Sequence, residues 1–137
     1  DGRFTILIAE DNRALSQVMR FNLDRAGFET CVANHGAEAV QRLQERSFDL
    51  LITDYQMPIM DGAELCRQVR EVLQLKDLPI ALCSAKGLEA DAANLVVRHG
   101  ISKVFYKPTS PQAVVTFARE LMTAQQVART SAPEVSC

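Results

Sequence analysis

Short apolar runs alternate five times in this chain with longer stretches of helical spacing, and that rhythm constrains the fold more than any other feature. Strands are predicted at residues 5–9 (T-I-L-I-A), 28–33, 48–53 (F-D-L-L-I-T), 79–83 (P-I-A-L-C) and 104–106. Between them, residues 12–26 place Leu15, Val18, Met19, Leu23 and Ala26 on one helical stripe, and 36–46 do the same with Ala37, Val40 and Leu43. A helix over 62–74 opens with Asp61 and Glu64 at capping-box spacing, and 88–99 aligns Leu88, Ala92, Leu95 and Val96. Ser110-Pro111 starts a last helix whose apolar residues are Val114, Val115, Ala118, Leu121 and Met122. Gly27 and Gly100 stand where helices end, and Pro58 with Asp61-Gly62 marks a turn.

Strands that alternate with helices imply a parallel sheet covered on both faces, an α/β architecture of three layers. Right-handed crossovers limit its connections, and five strands favour the doubly wound, flavodoxin-like order 2-1-3-4-5. Residues 1–123 carry the whole pattern and form one domain. The stretch 124–137 loses the amphipathic spacing and is expected to be a poorly ordered helix end or linker.

Composition removes other classes. Apolar residues make up 47%, enough for a core without disulfides. Fifteen Lys and Arg against seventeen Asp and Glu give a formal net charge of −2, so direct nucleic-acid binding through a basic surface is not expected. No run approaches the roughly eighteen apolar residues of a membrane span, and residues 1–30 lack a signal-peptide pattern; a cytoplasmic location is expected. Cys31, Cys66, Cys83 and Cys137 form no C-x-x-C pair and lie far from His35 and His99 in sequence, so reduced thiols are expected rather than a zinc site. Cys83 reads as a core residue, and both histidines as surface or capping residues.

In open parallel sheets ligands bind beyond the carboxyl ends of the strands. There the first strand delivers Glu10-Asp11, the third Asp54, the fourth Ser84 followed by Ala85 and Lys86, and the fifth Lys107-Pro108. The second strand ends in Ala33-Asn34 and brings no ionisable group. Three carboxylates that close together raise one another's proton affinity unless a cation enters, and oxygen ligands favour Mg²⁺. Mg²⁺ and Lys107 together would cancel the three negative charges and let a phosphoryl group approach. Asp54, on a central strand, is the natural nucleophile for an aspartyl phosphate. Ser84 and Lys107 are placed to bind phosphoryl oxygens, and Ala85 leaves room beside them. Asp61 is better read as a helix cap than as a fourth acid.

At these residues the chain resembles the receiver domain of two-component response regulators. The resemblance rests on I-L-I-A-E-D-N at 6–12, D-Y-Q-M-P-I-M-D-G at 54–62, L-C-S-A at 82–85 and F-Y-K-P at 105–108, and it spans about residues 4–123. It implies a phosphoacceptor in a phosphorelay, with a histidine kinase or histidine phosphotransfer protein donating to Asp54. It further implies Mg²⁺ held by Glu10, Asp11, Asp54 and the backbone carbonyl of Gln56, a switch hydroxyl at Ser84, and a phosphate-pairing lysine at Lys107. Such a domain is regulatory rather than an enzyme, although it takes phosphoryl groups from small donors and dephosphorylates itself, at a rate that Gln56 and Lys86 would tune. The output is a downstream domain or protein, reached through the surface of helix 88–99, strand 103–106 and helix 111–122; a homodimer is one form that output can take. The chain departs from the pattern at Val104, where many receivers carry an aromatic residue that rotates inward. Phe105 should face opposite to Val104 and Tyr106, so output here is expected to rely on Ser84 and backbone movement.

Three other readings stay open on sequence. A flavodoxin-type FMN carrier would share the strand order, but the acids of Glu10-Asp11-Asn12-Arg13 oppose a phosphate there. A haloacid-dehalogenase-type phosphatase wants D-x-D after the first strand and a substrate cap. A receiver-like interaction module working without phosphorylation finds its support in Val104.

Overall fold

The computed structural model describes residues 3–131, with side chains to residue 129. Five strands, β1 (Thr5–Ala9), β2 (Glu29–Ala33), β3 (Leu50–Asp54), β4 (Ile80–Ser84) and β5 (Lys103–Tyr106), form one parallel sheet in the order β2-β1-β3-β4-β5. This is the expected order. Between and after them run α1 (Arg13–Arg25), α2 (Gly36–Glu45), α3 (Gly62–Arg67), α4 (Glu89–His99) and α5 (Pro111–Ser131).

The pleat sorts alternate strand residues into two cores. Leu7, Ala9, Leu51, Ile80 and Leu82 pack on one face with Ala39 and Leu43 of α2, Leu65 of α3, and Ala92 and Leu95 of α4. Ile6, Ile8, Leu50, Ile52, Ala81, Cys83 and Phe105 pack on the other with Leu23 of α1 and Val114, Val115 and Ala118 of α5. Each fully buried aliphatic side chain contributes about 1.5–3 kcal/mol. The near-continuous burial of β1, β3 and β4 is what a sheet covered on both sides demands. No described helix is long and apolar enough to cross a membrane.

Asp61 and Ser110 cap α3 and α5 as expected, Asn12 and His35 cap α1 and α2, and α4 starts after Leu88 without a side-chain cap. Asn12 Oδ1 accepts from Leu15 N–H, His35 Nδ1 from Glu38 N–H, Asp61 Oδ1 from Glu64 N–H, and Ser110 Oγ from Ala113 N–H. The capping box at Asp61 closes only on one side, because the Glu64 carboxylate is taken by Arg67 and Gln68 instead.

Several details differ from the sequence reading. On α1, Leu15 and Val18 are 47% and 49% exposed, while Ser16 is buried and donates to the Arg13 carbonyl. The helix therefore turns a narrower face to the sheet than its apolar stripe suggests. The helix expected over 62–74 is α3 followed by a π-helical turn at Gln68–Val72. There the buried Arg70 donates to the carbonyls of His99, Gly100 and Leu75 at 2.7, 3.3 and 2.6 Å. His99, read as a surface or capping residue, is buried in the last turn of α4, and burial lowers its pKa. Helix α5 continues through Ser131, past the point where its apolar spacing fades. Cys31, Cys66 and Cys83 are free; Cys137 and the rest of 132–137 lie outside the described residues.

Candidate functional site

Parallel pairing delivers the carboxyl ends of β1, β3, β4 and β5 to one edge of the sheet. Backbone hydrogen bonds extend that order one residue past the strands: Glu10 N–H donates to Ala33 O, Tyr55 N–H to Cys83 O, and Lys107 N–H to Ser84 O. The groups attached to these residues are therefore held by the ladder itself.

Glu10, Asp11 and Asp54 offer carboxylate oxygens that all lie within 4.8 Å of one another. Asp54 is only 4% exposed, and its Oδ1 receives Lys107 Nζ at 2.9 Å. A single lysine against three acids leaves the cluster short of positive charge. Glu10, half-enclosed in this cluster, has its pKa pushed up to about 7. Burial is the main cause; the Asn12 N–H on its carboxylate works against it, and the neighbouring Asp54 charge adds to it. Burial also disfavours the Lys107 ammonium, but its hydrogen bond to Asp54 and the charges of Asp54 and Glu10 outweigh that, and its pKa is raised.

Ser84 is fully buried at the end of β4, and its Oγ has no hydrogen-bond partner. A buried hydroxyl left so is costly. Gln56 and Lys86, in the loops after β3 and β4, are exposed. Gln56 lines an open groove of about 420 Å³ with Asp11 and Asp61. Asp61 itself serves as the α3 cap, as expected.

Two features were not legible in the sequence. Gly62 packs so tightly under Asp54 that a Cβ there would strike Asp54 O and come within 2.9 Å of Tyr55 Cα. Asp61-Gly62 signals a turn, and nothing in that signal says that the glycine touches Asp54. The second feature is an apolar cavity of about 460 Å³ that reaches from Asp54, Glu10 and Lys107 to Leu15, Val18 and Pro111. Leu15 and Val18, turned away from the core, form part of its wall. Cys83 also lines it, and burial pushes its thiol up to about 12, so it remains protonated.

The site fits a hard divalent cation. It offers three clustered oxygen ligands and surplus negative charge, without a nitrogen or sulfur ligand among them.

A profile of the response regulator receiver domain matches residues 6–119. The chain belongs to that family. It is 44% identical over 86 residues to the phosphate regulon transcriptional regulatory protein PhoB of Rhizobium meliloti, covering 63% of this chain and 38% of that protein. It is 30% identical over 111 residues to the chemotaxis protein CheY1 of Helicobacter pylori strain 26695, covering 80% of this chain and 89% of CheY1. Among solved structures, the receiver domain of a signal transduction histidine kinase from Syntrophus aciditrophicus superposes with a TM-score of 0.79 at 27% identity, over 97% of this chain and 98% of that one. The chain spans about half the length or less of the first curated transcriptional regulators it matches. This is a receiver domain of the two-component response regulators, with the five-stranded order that family shares.

Val104, which stands where the resemblance expects an aromatic residue, is partly buried against the α2–α4 core. Phe105 faces the other core, edge-on to Phe117 at 6.0 Å, and Tyr106 is 36% exposed. The strand alternation expected for these three residues holds.

Proposed function

We propose that Asp54 accepts a phosphoryl group from a phosphohistidine on a histidine kinase or histidine phosphotransfer protein. The observation that carries this reading is one buried aspartate, bonded to Lys107 and crowded by two further carboxylates at a strand end. With Lys107 on Oδ1, the second Asp54 oxygen is the nucleophile. The P–N bond to the donor imidazole breaks as the O–P bond forms, and the leaving imidazole takes up a proton. Lys107 then pairs with phosphoryl charge instead of carboxylate charge. Glu10, Asp11, Asp54 and the Gln56 carbonyl would hold Mg²⁺, which when bound supplies positive charge against the carboxylates and the phosphoryl oxygens. Gln56 and Lys86, exposed in the loops after β3 and β4, would set how fast water removes the phosphoryl group.

The signal leaves through Ser84. Its unpartnered Oγ gains an acceptor only when Asp54 is phosphorylated, so the modified state favours a β4–α4 loop drawn toward the site. Val96, Val97 and Tyr106, exposed on α4 and β5, are the surface that reads this movement, for a downstream domain or protein in the cytoplasm.

Incubation with acetyl phosphate and Mg²⁺, followed by intact-mass measurement, tests the reading. One added phosphoryl group on the native chain and none on Asp54→Asn are expected. Equal labelling of both proteins, or none on either, would contradict it, and the latter would favour an interaction module that works without phosphorylation.

A further inference from the structure

We infer that Ile59 is a recognition residue for the phosphohistidine donor, an apolar contact held out at the rim of the acceptor site. The inference rests on the phosphoacceptor reading of Asp54 and names a determinant of partner choice within it.

Ile59 combines two unfavourable features. Its φ is +71°, a conformation that a β-branched side chain rarely adopts, and its side chain is 82% exposed. Met60 N–H donates to Pro58 O at 2.7 Å, so Ile59 is the central residue of a γ-turn of the rare, positive-φ kind. A glycine or asparagine would hold this turn with less strain and would expose less apolar surface.

Looseness of the loop does not explain the exposure, because the loop is pinned on both sides of Ile59. Met57 and Met60 pack against the α2–α4 core. Gly36, at the start of α2, lies so close to Met60 that a Cβ there would sit 2.7–2.8 Å from its O, Cβ and Cγ. Gly62 N–H donates to Tyr55 O at 2.7 Å and closes the segment under Asp54. With its neighbours drawn inward, the turn directs Ile59 outward. Pro58, the residue before it, lines the groove that Asp11 and Gln56 share.

A donor that brings a phosphohistidine to Asp54 must cover this rim, whereas a small phosphodonor need not. Burial of Ile59 in an apolar notch of the donor would offset the exposure and strain carried by the free protein.

The test compares two kinds of donor on the wild type and on Ile59→Gly, Ile59→Asn and Ile59→Val. One is acetyl phosphate. The other is a panel of autophosphorylated histidine kinases and phosphorylated phosphotransfer proteins from the genome that encodes this chain. Ile59→Gly and Ile59→Asn are expected to lower kcat/KM about tenfold with the panel member that labels wild type fastest. Both should stay within about twofold of wild type with acetyl phosphate, and Ile59→Val should keep most of the protein-donor rate. The thermal midpoint of Ile59→Gly should not fall below that of wild type. Unchanged transfer from the protein donor would overturn the inference. So would a parallel loss with acetyl phosphate, which would place the effect in the loop, and so would labelling by acetyl phosphate with no panel member active. Absence of label from every donor on wild type would instead remove the phosphoacceptor reading itself.

Discussion

Strand β3 carries an aspartate just before its start and another at its end, and their surroundings differ in kind. Asp49 exchanges two hydrogen bonds with Thr5, its Oδ2 accepting from Thr5 N–H and its own N–H donating to Thr5 O, both at 2.8 Å. That satisfies a buried backbone donor and stitches β1 to β3 where the sheet begins. Asp54 meets two other carboxylates and one lysine, next to a hydroxyl with no partner. One end of the strand has its polar groups matched; the other holds charge and an acceptor-seeking hydroxyl in reserve. In this fold the polar groups are matched at the amino-terminal edge of the sheet and left unmatched at the carboxyl edge.

Substitution at the two aspartates separates these roles most sharply. Asp54→Asn should abolish labelling by acetyl phosphate while leaving the thermal midpoint unchanged or raised, since it relieves the crowding at Glu10. Asp49→Ala should leave labelling intact and lower stability by about 1–2 kcal/mol, the cost of an unsatisfied buried N–H, as read by denaturant unfolding. A reversed pattern would dissolve the contrast.

Gly62→Ala joins the two kinds of effect at a single position. The added Cβ meets backbone atoms of Asp54 and Tyr55, which have no rotamer by which to yield. Unfolding should show a loss of about 1–3 kcal/mol, and phosphorylation should slow at least about tenfold as the acceptor shifts. Normal labelling in a destabilised Gly62→Ala would show that Asp54 tolerates displacement.

The pH response sharpens the comparison further. Glu10 titrates near 7 when folded, against an ordinary value of 4.5. The folded chain therefore keeps a proton that the unfolded chain releases across that window. In metal-free buffer this group's contribution makes stability fall as pH rises from about 4.5 to about 7. Cation binding needs the ionised form, so Mg²⁺ affinity should fall as pH drops below about 7, by up to about tenfold per unit, with protons released on binding. Calorimetric titration in buffers of different ionisation enthalpy reads both, and suits a chain without tryptophan. Flat affinity between pH 5.5 and 7.5 would mean that Glu10 is not a ligand.

The smallest effect is expected at Ser84. Its Oγ makes no hydrogen bond, so Ser84→Ala should change the stability of the unmodified protein by less than about 1 kcal/mol, and in the stabilising direction. Partner binding should then no longer distinguish phosphorylated from unphosphorylated protein. Equal partner affinity for phosphorylated wild type and phosphorylated Ser84→Ala would remove the hydroxyl from the switch.

Periodicity revealed the sheet and its order because the inner strands β1, β3 and β4 are buried on both faces and the helices turn one apolar face to the sheet. The site followed, since Glu10, Asp11, Asp54, Ser84 and Lys107 all sit at strand ends that a parallel sheet must gather. What stayed hidden depends on contacts between segments distant in sequence. Leu15 and Val18 share a stripe with Leu23, yet only a three-dimensional packing angle decides that they overhang a cavity. Arg70 looks like any helix-surface arginine until the carbonyls of His99 and Gly100 arrive from nearly thirty residues away. Ile59 reads as an ordinary apolar residue, and only backbone dihedrals reveal its strain.

The central claim is that four strand ends form one divalent-cation pocket around a phosphorylatable Asp54. A crystal structure of the protein with Mg²⁺ and beryllofluoride tests it most directly. The account predicts the metal among Glu10, Asp11 and Asp54, the fluoride on the Asp54 carboxylate, Lys107 moved onto a fluorine, and Ser84 Oγ hydrogen-bonded for the first time. Neither group bound, with the three carboxylates turned apart, would contradict it.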